Sequence, residues 1–257
     1  MQAHKRITAA INAATKSGRT ALVPFITAGY PEPDTFIDTL KAVAAVGDVV
    51  ELGIPFSDPM ADGMTIQRSS FEALRQGVSL EWIFDQLETV SGEIEAPLVM
   101  MSYLNPLLAF GYDKLAERSL ATGVCGFIVP DLPYEESDEI RTALEIRDLG
   151  LIQLVTPATP KERLHTLCDV SRGFVYAVTI TGITGGGTGL PADLAQYLDE
   201  VAAVSSLPVC AGFGIRTPED VAAVGRHAAG AIVGSALVEV LERGEDPRAY
   251  LQSLIAT

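Results

Sequence analysis

Eight short, near-continuous apolar runs recur along the 257 residues with amphipathic stretches between them, and this alternation constrains the fold more than any other feature. The runs are Ala21–Gly29, Val49–Ile54, Pro97–Tyr103, Gly126–Asp131, Leu151–Pro157, Phe174–Ile180, Pro208–Gly214 and Ala231–Ser235. Strands buried on both faces read this way, because neighbouring side chains cover one face and helices the other. Between them, Phe36, Leu40 and Val43, then Leu164, Leu167 and Cys168, then Val221 and Val224 recur at helical spacing. Pro33, Pro160, Pro191 and Pro218 stand where helices should begin.

Eight strand–helix units without a composition break predict one α/β domain over residues 1–257, a single (β/α)₈ TIM barrel. The polar, helix-patterned stretch MQAHKRITAAINAATKSG adds an extra N-terminal helix before the first strand. A doubly wound open sheet is the alternative, but the turn after the first strand, ITAGYPEP, lacks the glycine pattern of that fold.

Composition narrows the partners. The formal net charge is −15, with no cluster of Lys and Arg, so nucleic acid and anionic membrane surfaces are disfavoured. No apolar run approaches the roughly 20 residues of a membrane span, and no secretory signal is visible, so a cytoplasmic location is expected. Cys125, Cys168 and Cys210 are far apart and read as buried thiols, and His4, His165 and His227 have no metal-ligand spacing. No metal is expected.

Barrel active sites form at the C-terminal ends of the strands. There the stretch VVELGIPFSDPMADGMTIQ places Glu51 in a buried strand, its neighbours Val50 and Leu52 facing the opposite way. A lone carboxylate in that position is costly unless paired, protonated or used; it is either a structural Glu or a tuned acid/base. Asp58 and Asp62 follow in the loop, and the Asp-Gly pair at Asp62 reads equally well as a turn. Towards the other end, Gly212 and Gly214 close the seventh run, and Gly234 and Ser235 close the eighth just before a helix. Close backbone approach and a helix N-terminus suit an anion, most simply a phosphate, although tight turns alone would also use glycine. The segment TGITGGGTGLP, Thr181–Pro191, has five glycines in eleven residues and reads as a connector or a lid. The lysines, Lys5, Lys16, Lys41, Lys114 and Lys161, lie outside the strands, so acid/base chemistry is favoured over a Schiff base.

ALVPFITAGYP, VVELGIPFSDPMADGMTIQ, VMMSYLNPLLAFG, GFIVPDLPYEES, ITGITG, CAGFGI and AIVGSALV, in this order and spacing, resemble the tryptophan synthase alpha chain family from about Ala21 to Leu241. The resemblance implies a lyase that cleaves indole-3-glycerol phosphate to indole and glyceraldehyde 3-phosphate in tryptophan biosynthesis. It implies Glu51 and Asp62 as catalytic residues, Phe25, Met101, Ile128, Tyr176, Thr184 and Phe213 around the substrate, and Gly185, Gly214, Gly234 and Ser235 around its phosphate. It also implies a beta chain in an alpha2beta2 complex, facing loops with Pro55, Asp58, Asn105, Pro106, Asp131 and Pro133. The pyridoxal phosphate would belong to that partner, with no cofactor in this chain. A free-standing lyase and a non-catalytic activator of a beta chain are the alternative readings. The sequence departs from the family pattern in a short turn at Gly47–Asp48, in Met64 where proline is common, in Arg68, and in the glycines after Thr184. These departures predict a looser catalytic loop and a costlier lid closure.

Overall fold

A computed structural model describes residues 2–179, 192–212 and 214–255. Eight strands run in parallel: β1 (Ala21–Thr27), β2 (Val50–Gly53), β3 (Leu98–Met101), β4 (Val124–Ile128), β5 (Gly150–Val155), β6 (Val175–Val178), β7 (Val209–Gly212) and β8 (Gly230–Val233). Each pairs with the next, and β8 returns to β1 through Ala21↔Gly230 and Val23↔Ile232, so the sheet closes into a barrel. The helices are α1 (Ala3–Lys16), α2 (Phe36–Ala44), α3 (Met64–Arg75), α4 (Leu80–Thr89), α5 (Leu104–Phe110), α6 (Tyr112–Thr122), α7 (Asp138–Glu145), α8 (Lys161–Val170), α9 (Ala192–Val204), α10 (Pro218–Gly225), α11 (Ser235–Glu242) and α12 (Pro247–Ile255).

The continuous apolar character of the strands is explained by two cores. Alternate residues such as Leu22, Val50, Leu52 and Met100 point outward into a layer shared with the helices. Their neighbours Val23, Val99, Ile128, Ile152 and Ile232 fill the barrel interior. The extra helix α1 closes the N-terminal face: Ile7, Ile11 and Ala14 are buried against that interior layer. Its Thr8 hydroxyl donates to the Gly173 carbonyl at 2.7 Å, and the His4 amide donates to the Asp148 carbonyl at 3.0 Å. With that end plugged, the interior opens only towards the C-terminal ends of the strands.

Most expected strands lie within two residues of their observed limits, and the fourth departs furthest. It spans Val124–Ile128 rather than Gly126–Asp131, because Val129 begins a turn in which the Leu132 amide returns to the Val129 carbonyl. Pro33 opens a short 3₁₀ turn ahead of α2, Pro160 caps α8, and Pro218 is the first residue of α10, where Thr217 and Asp220 form a capping box. Pro191 lies outside the described residues. All three cysteines are free and buried.

The short turn at Gly47–Asp48 is held by its own residues. A Cβ on Gly47 would lie 2.7 Å from the Pro24 ring, so glycine is required for the approach. Asp48 accepts from both terminal nitrogens of Arg19 at 2.6 Å and from the Leu22 amide at 2.8 Å, anchoring the start of β1. Asp48 is 11% exposed and Arg19 41%. Losing Arg19 therefore removes a solvated ion pair, whereas losing Asp48 orphans a backbone donor. Asp48→Ala is expected to cost about 1–3 kcal/mol and Arg19→Ala under about 1 kcal/mol in urea unfolding; equal losses would show that the amide contact contributes nothing.

Candidate active site

Glu51 lies in β2 between Phe25 of β1 and Val99 of β3, and faces the barrel interior because Val50 and Leu52 face the helices. It is 1% exposed, and neither carboxyl oxygen has a hydrogen-bond partner among the described residues. Burial, and then the charge of Asp62, push its pKa up to about 8. Glu51 is therefore mainly protonated at neutral pH. Asp62, half-buried in the loop after β2, is raised to about 6 by burial, against the lowering effect of a hydrogen bond from Tyr103. At pH 7 one carboxyl is an acid and the other mostly a carboxylate, the separation that paired acid/base chemistry uses. Burial and both carboxylates hold the Tyr176 hydroxyl far above its ordinary range, so it stays protonated.

Tyr103 organises the Asp62 loop, and the sequence reading missed it. Its hydroxyl accepts from the Ala61 amide at 2.8 Å and its ring stacks on Phe56 at a centroid distance of 5.2 Å. The same hydroxyl interacts with the Asp62 carboxylate. Gln67, on the first turn of α3, donates to the Asp62 carbonyl at 2.8 Å. Met64 is the first residue of α3, a position where proline would preset the backbone. Tyr103 and Gln67 supply local anchoring to a loop expected to be looser for lack of that proline.

Across the rim, Gly214 adopts the left-handed backbone at φ 78°, and Gly234 stands immediately before α11. Among the described residues a Cβ on Gly234 would meet nothing closer than 3.9 Å, which leaves room for a ligand on their side. The first amides of α11, from Ser235, have no partner within the helix, and its dipole favours an anion there. Gly212 belongs to a different group. A Cβ there would sit 2.5 Å from the Tyr176 hydroxyl, so this glycine makes room for an aromatic ring rather than for an anion. Gly53 does the same for Phe25, whose ring would lie 2.4 Å from an added Cβ.

One cavity of about 150 Å³ brings together Phe25, Glu51, Asp62, Met101, Tyr176, Gly214, Gly234 and Ser235. Its described wall also includes Gly63, Ile66, Ile215, Arg216, Ile232 and Ala236, none of them picked out from sequence. Ile66 shares the first two turns of α3 with Gln67, and Arg216 follows Gly214 by two positions, so proximity in sequence was the available signal. Ile128, expected at the substrate, is fully buried in the interior layer and is not in the described wall. Thr184, Gly185 and Phe213, with the glycine-rich segment, lie outside the described residues. All five lysines are exposed on the surface, and none lines the cavity. Among the described residues no cluster of metal-ligating side chains occurs, and no helix is long and apolar enough to cross a membrane.

A closed parallel barrel with an acid and a carboxylate on one side of its mouth and a helix terminus on the other defines a TIM-barrel enzyme equipped for proton transfer. A model of the tryptophan synthase alpha chain family matches residues 11–257. The chain is 40% identical to the alpha chain of Nitratidesulfovibrio vulgaris over 96% of its length and 97% of the relative's. It is 45% identical to that of Roseiflexus sp. over 88% of each chain. The structure resembles Mycobacterium tuberculosis tryptophan synthase with a TM-score of 0.87 at 35% identity, covering 97% of this chain and 96% of the other. Legionella pneumophila tryptophan synthase subunit alpha gives 0.87 at 33% identity, with 97% and 96% covered. The chain belongs to the tryptophan synthase alpha chain family.

Two titration predictions follow from the geometry. A carboxyl whose pKa is raised by folding contributes stability at low pH that is lost as pH climbs through the folded value. For Glu51 the window runs from about 4.5 to about 8. Glu51→Gln should flatten the decline of Tm over that window and leave the variant relatively more stable at pH 8 than at pH 4; parallel curves would contradict the burial of an ionisable group. Tyr103→Phe removes a donor from Asp62 and should move the Asp62 midpoint above about 6 in a carboxyl NMR titration; an unmoved midpoint would mean the hydroxyl does not serve that carboxylate.

Proposed function

We propose that this chain cleaves indole-3-glycerol phosphate to indole and glyceraldehyde 3-phosphate as the alpha subunit of a tryptophan synthase. The observation that carries this reading is the single cavity holding a protonated buried Glu51, an ionised Asp62 and the amide terminus of α11. The bond to break joins the ring carbon of indole to the glycerol side chain, and an aromatic ring is a poor leaving carbanion. Glu51 gives its proton to that ring carbon, converting the ring into an electron acceptor. Asp62 accepts the hydrogen bond of the ring N–H and stabilises the positive charge that develops there. Glu51, now a carboxylate, takes the proton of the adjacent glycerol hydroxyl. The carbonyl of the aldehyde forms as the carbon–carbon bond electrons return to the ring. Glu51 ends protonated, so the cycle closes without a net proton.

Phe25, Met101 and Ile232 supply apolar surface for the ring, and Tyr176 lies beside the two acids. Gly214, Gly234 and Ser235 hold the phosphate; Thr184, Gly185 and Phe213, which the family resemblance assigns to the substrate and its phosphate, lie outside the described residues. Both proton transfers run through the single carboxyl of Glu51, and the chain needs no cofactor of its own.

The partner is a beta chain carrying pyridoxal phosphate, in an alpha2beta2 complex. The support is a face at the C-terminal ends of β2, β3 and β4. There Met60 and Met64 are 84% and 76% exposed, and Leu108 on α5 is also exposed. Of the expected contact positions, Pro55 and Asp58 lie in the loop after β2, Asn105 and Pro106 in the first turn of α5, and Asp131 and Pro133 after β4, where Asp131 ties its loop to the start of α5 by accepting from the Leu104 amide at 2.9 Å.

Indole release is expected to rise strongly when a beta chain is added. High unaided turnover would instead mark a free-standing lyase, and no turnover in either case a non-catalytic activator. Glu51→Gln or Asp62→Asn should lower kcat by at least about a hundredfold while glycerol 3-phosphate still binds. In the parent chain kcat/KM should be greatest between about pH 6 and pH 8, falling below as Asp62 takes a proton and above as Glu51 loses one. A near-normal rate in either variant removes that residue from the chemistry.

A further inference from the structure

Arg216 is the only cationic side chain in the wall of the cavity among the described residues. Its backbone is pinned on both sides: the amide donates to the Asp220 carboxylate at 2.9 Å, and the carbonyl accepts from the Tyr250 hydroxyl at 3.0 Å. Its guanidinium grips Glu239 with two parallel hydrogen bonds, of 2.7 and 3.0 Å. That engages two of five N–H groups and fixes the plane of the fork while others remain to serve a second acceptor. The side chain is 51% exposed, so its charge is not sealed away from the cavity.

Electrostatics give this arrangement a use. Glu239 lies one helical turn beyond Ser235 on α11. A carboxylate so close to an anion-binding helix terminus opposes the half-charge of the dipole unless it is neutralised. Asp62, mostly a carboxylate at pH 7, and the net charge of −15 set the negative field that a phosphorylated ligand must enter. Backbone amides supply dipoles but no full positive charge. We propose that Arg216 is a further substrate-binding residue, held by Glu239 as its positioning partner, and that it confers the preference for a phosphorylated ligand. This rests on the reading of the site as one for a phosphorylated indole substrate.

The full-length chain and its Arg216→Ala and Arg216→Lys variants can be titrated calorimetrically with glycerol 3-phosphate and separately with indole. Backbone anchoring of residue 216 does not depend on its side chain, so the variants should fold. Expected for Arg216→Ala is about a tenfold weaker Kd for glycerol 3-phosphate and an unchanged Kd for indole, with Arg216→Lys between the two. With indole-3-glycerol phosphate, KM should rise by a similar factor while kcat changes less than twofold. An Arg216→Ala Kd for glycerol 3-phosphate within twofold of the parent overturns the proposal, as does equal weakening for both probes, which would mark a structural role. A parent chain that binds indole but not glycerol 3-phosphate overturns the phosphate site itself. A parent that binds both while the variant is indifferent removes only Arg216.

Discussion

The buried, unpartnered carboxyl of Glu51 is the constraint on which the rest of the site depends. Buried in a closed sheet with no described donor, an ionised carboxylate is poorly stabilised, so the barrel favours its protonated form. That preference costs stability near and above neutrality and is tolerable only because the barrel around it is otherwise apolar and closed at the far end by α1. The same burial makes the acid useful. A group that holds its proton at neutral pH can deliver it to carbon, and once ionised beside Asp62 it is driven to recover one.

Space for a ligand near that carboxyl is created by glycine rather than by long loops. Gly53 and Gly212 each sit where a Cβ would run into an aromatic ring of the pocket, Phe25 and Tyr176 respectively. The two rings lean over neighbouring strands into the space the glycines leave. Either glycine enlarged to alanine would force its ring to move, and the cavity with it. Gly214 and Gly234 do something else, giving the backbone an unusual turn and an open approach. The residue type is the same on both strands; only the neighbours separate packing from ligand access.

That distinction marks the limit of what the chain reveals by itself. The barrel was legible because eight apolar runs are a property of each segment alone, and Glu51 because a charge in such a run is conspicuous. Gly212 was assigned to the anion cradle with Gly214 because nothing local reports that a tyrosine hydroxyl from β6 fills its side-chain space. Ile128 and Met101 looked alike as apolar strand residues and pair in register across β4 and β3, yet only Met101 reaches the described cavity wall, while Ile128 is fully buried in the interior layer. Tyr103 and Arg216 were passed over for the same reason: a tyrosine after a strand and an arginine after a glycine turn carry no mark of the carboxylates they meet. Family resemblance compensates for this only where the family position is itself informative.

The oddity of Arg68 shows what a three-dimensional partner adds. On α3 it forms a forked contact with Glu242 of α11, and Tyr30 after β1 donates to the same carboxylate at 2.8 Å. One turn nearer the site, Thr65 of α3 reaches Glu239 of α11 at 3.3 Å, and Glu239 also holds Arg216. Arg68 is 52% exposed, so its ion pair contributes at most about 1 kcal/mol to stability. Its effect is better seen as register. The helix that continues from Asp62 and the helix that starts at Ser235 are pinned side by side at two successive levels. A shift of either would separate the Asp62 carboxylate from the helix terminus across the cavity, and the two carboxyls and the proposed anion site would no longer address one ligand.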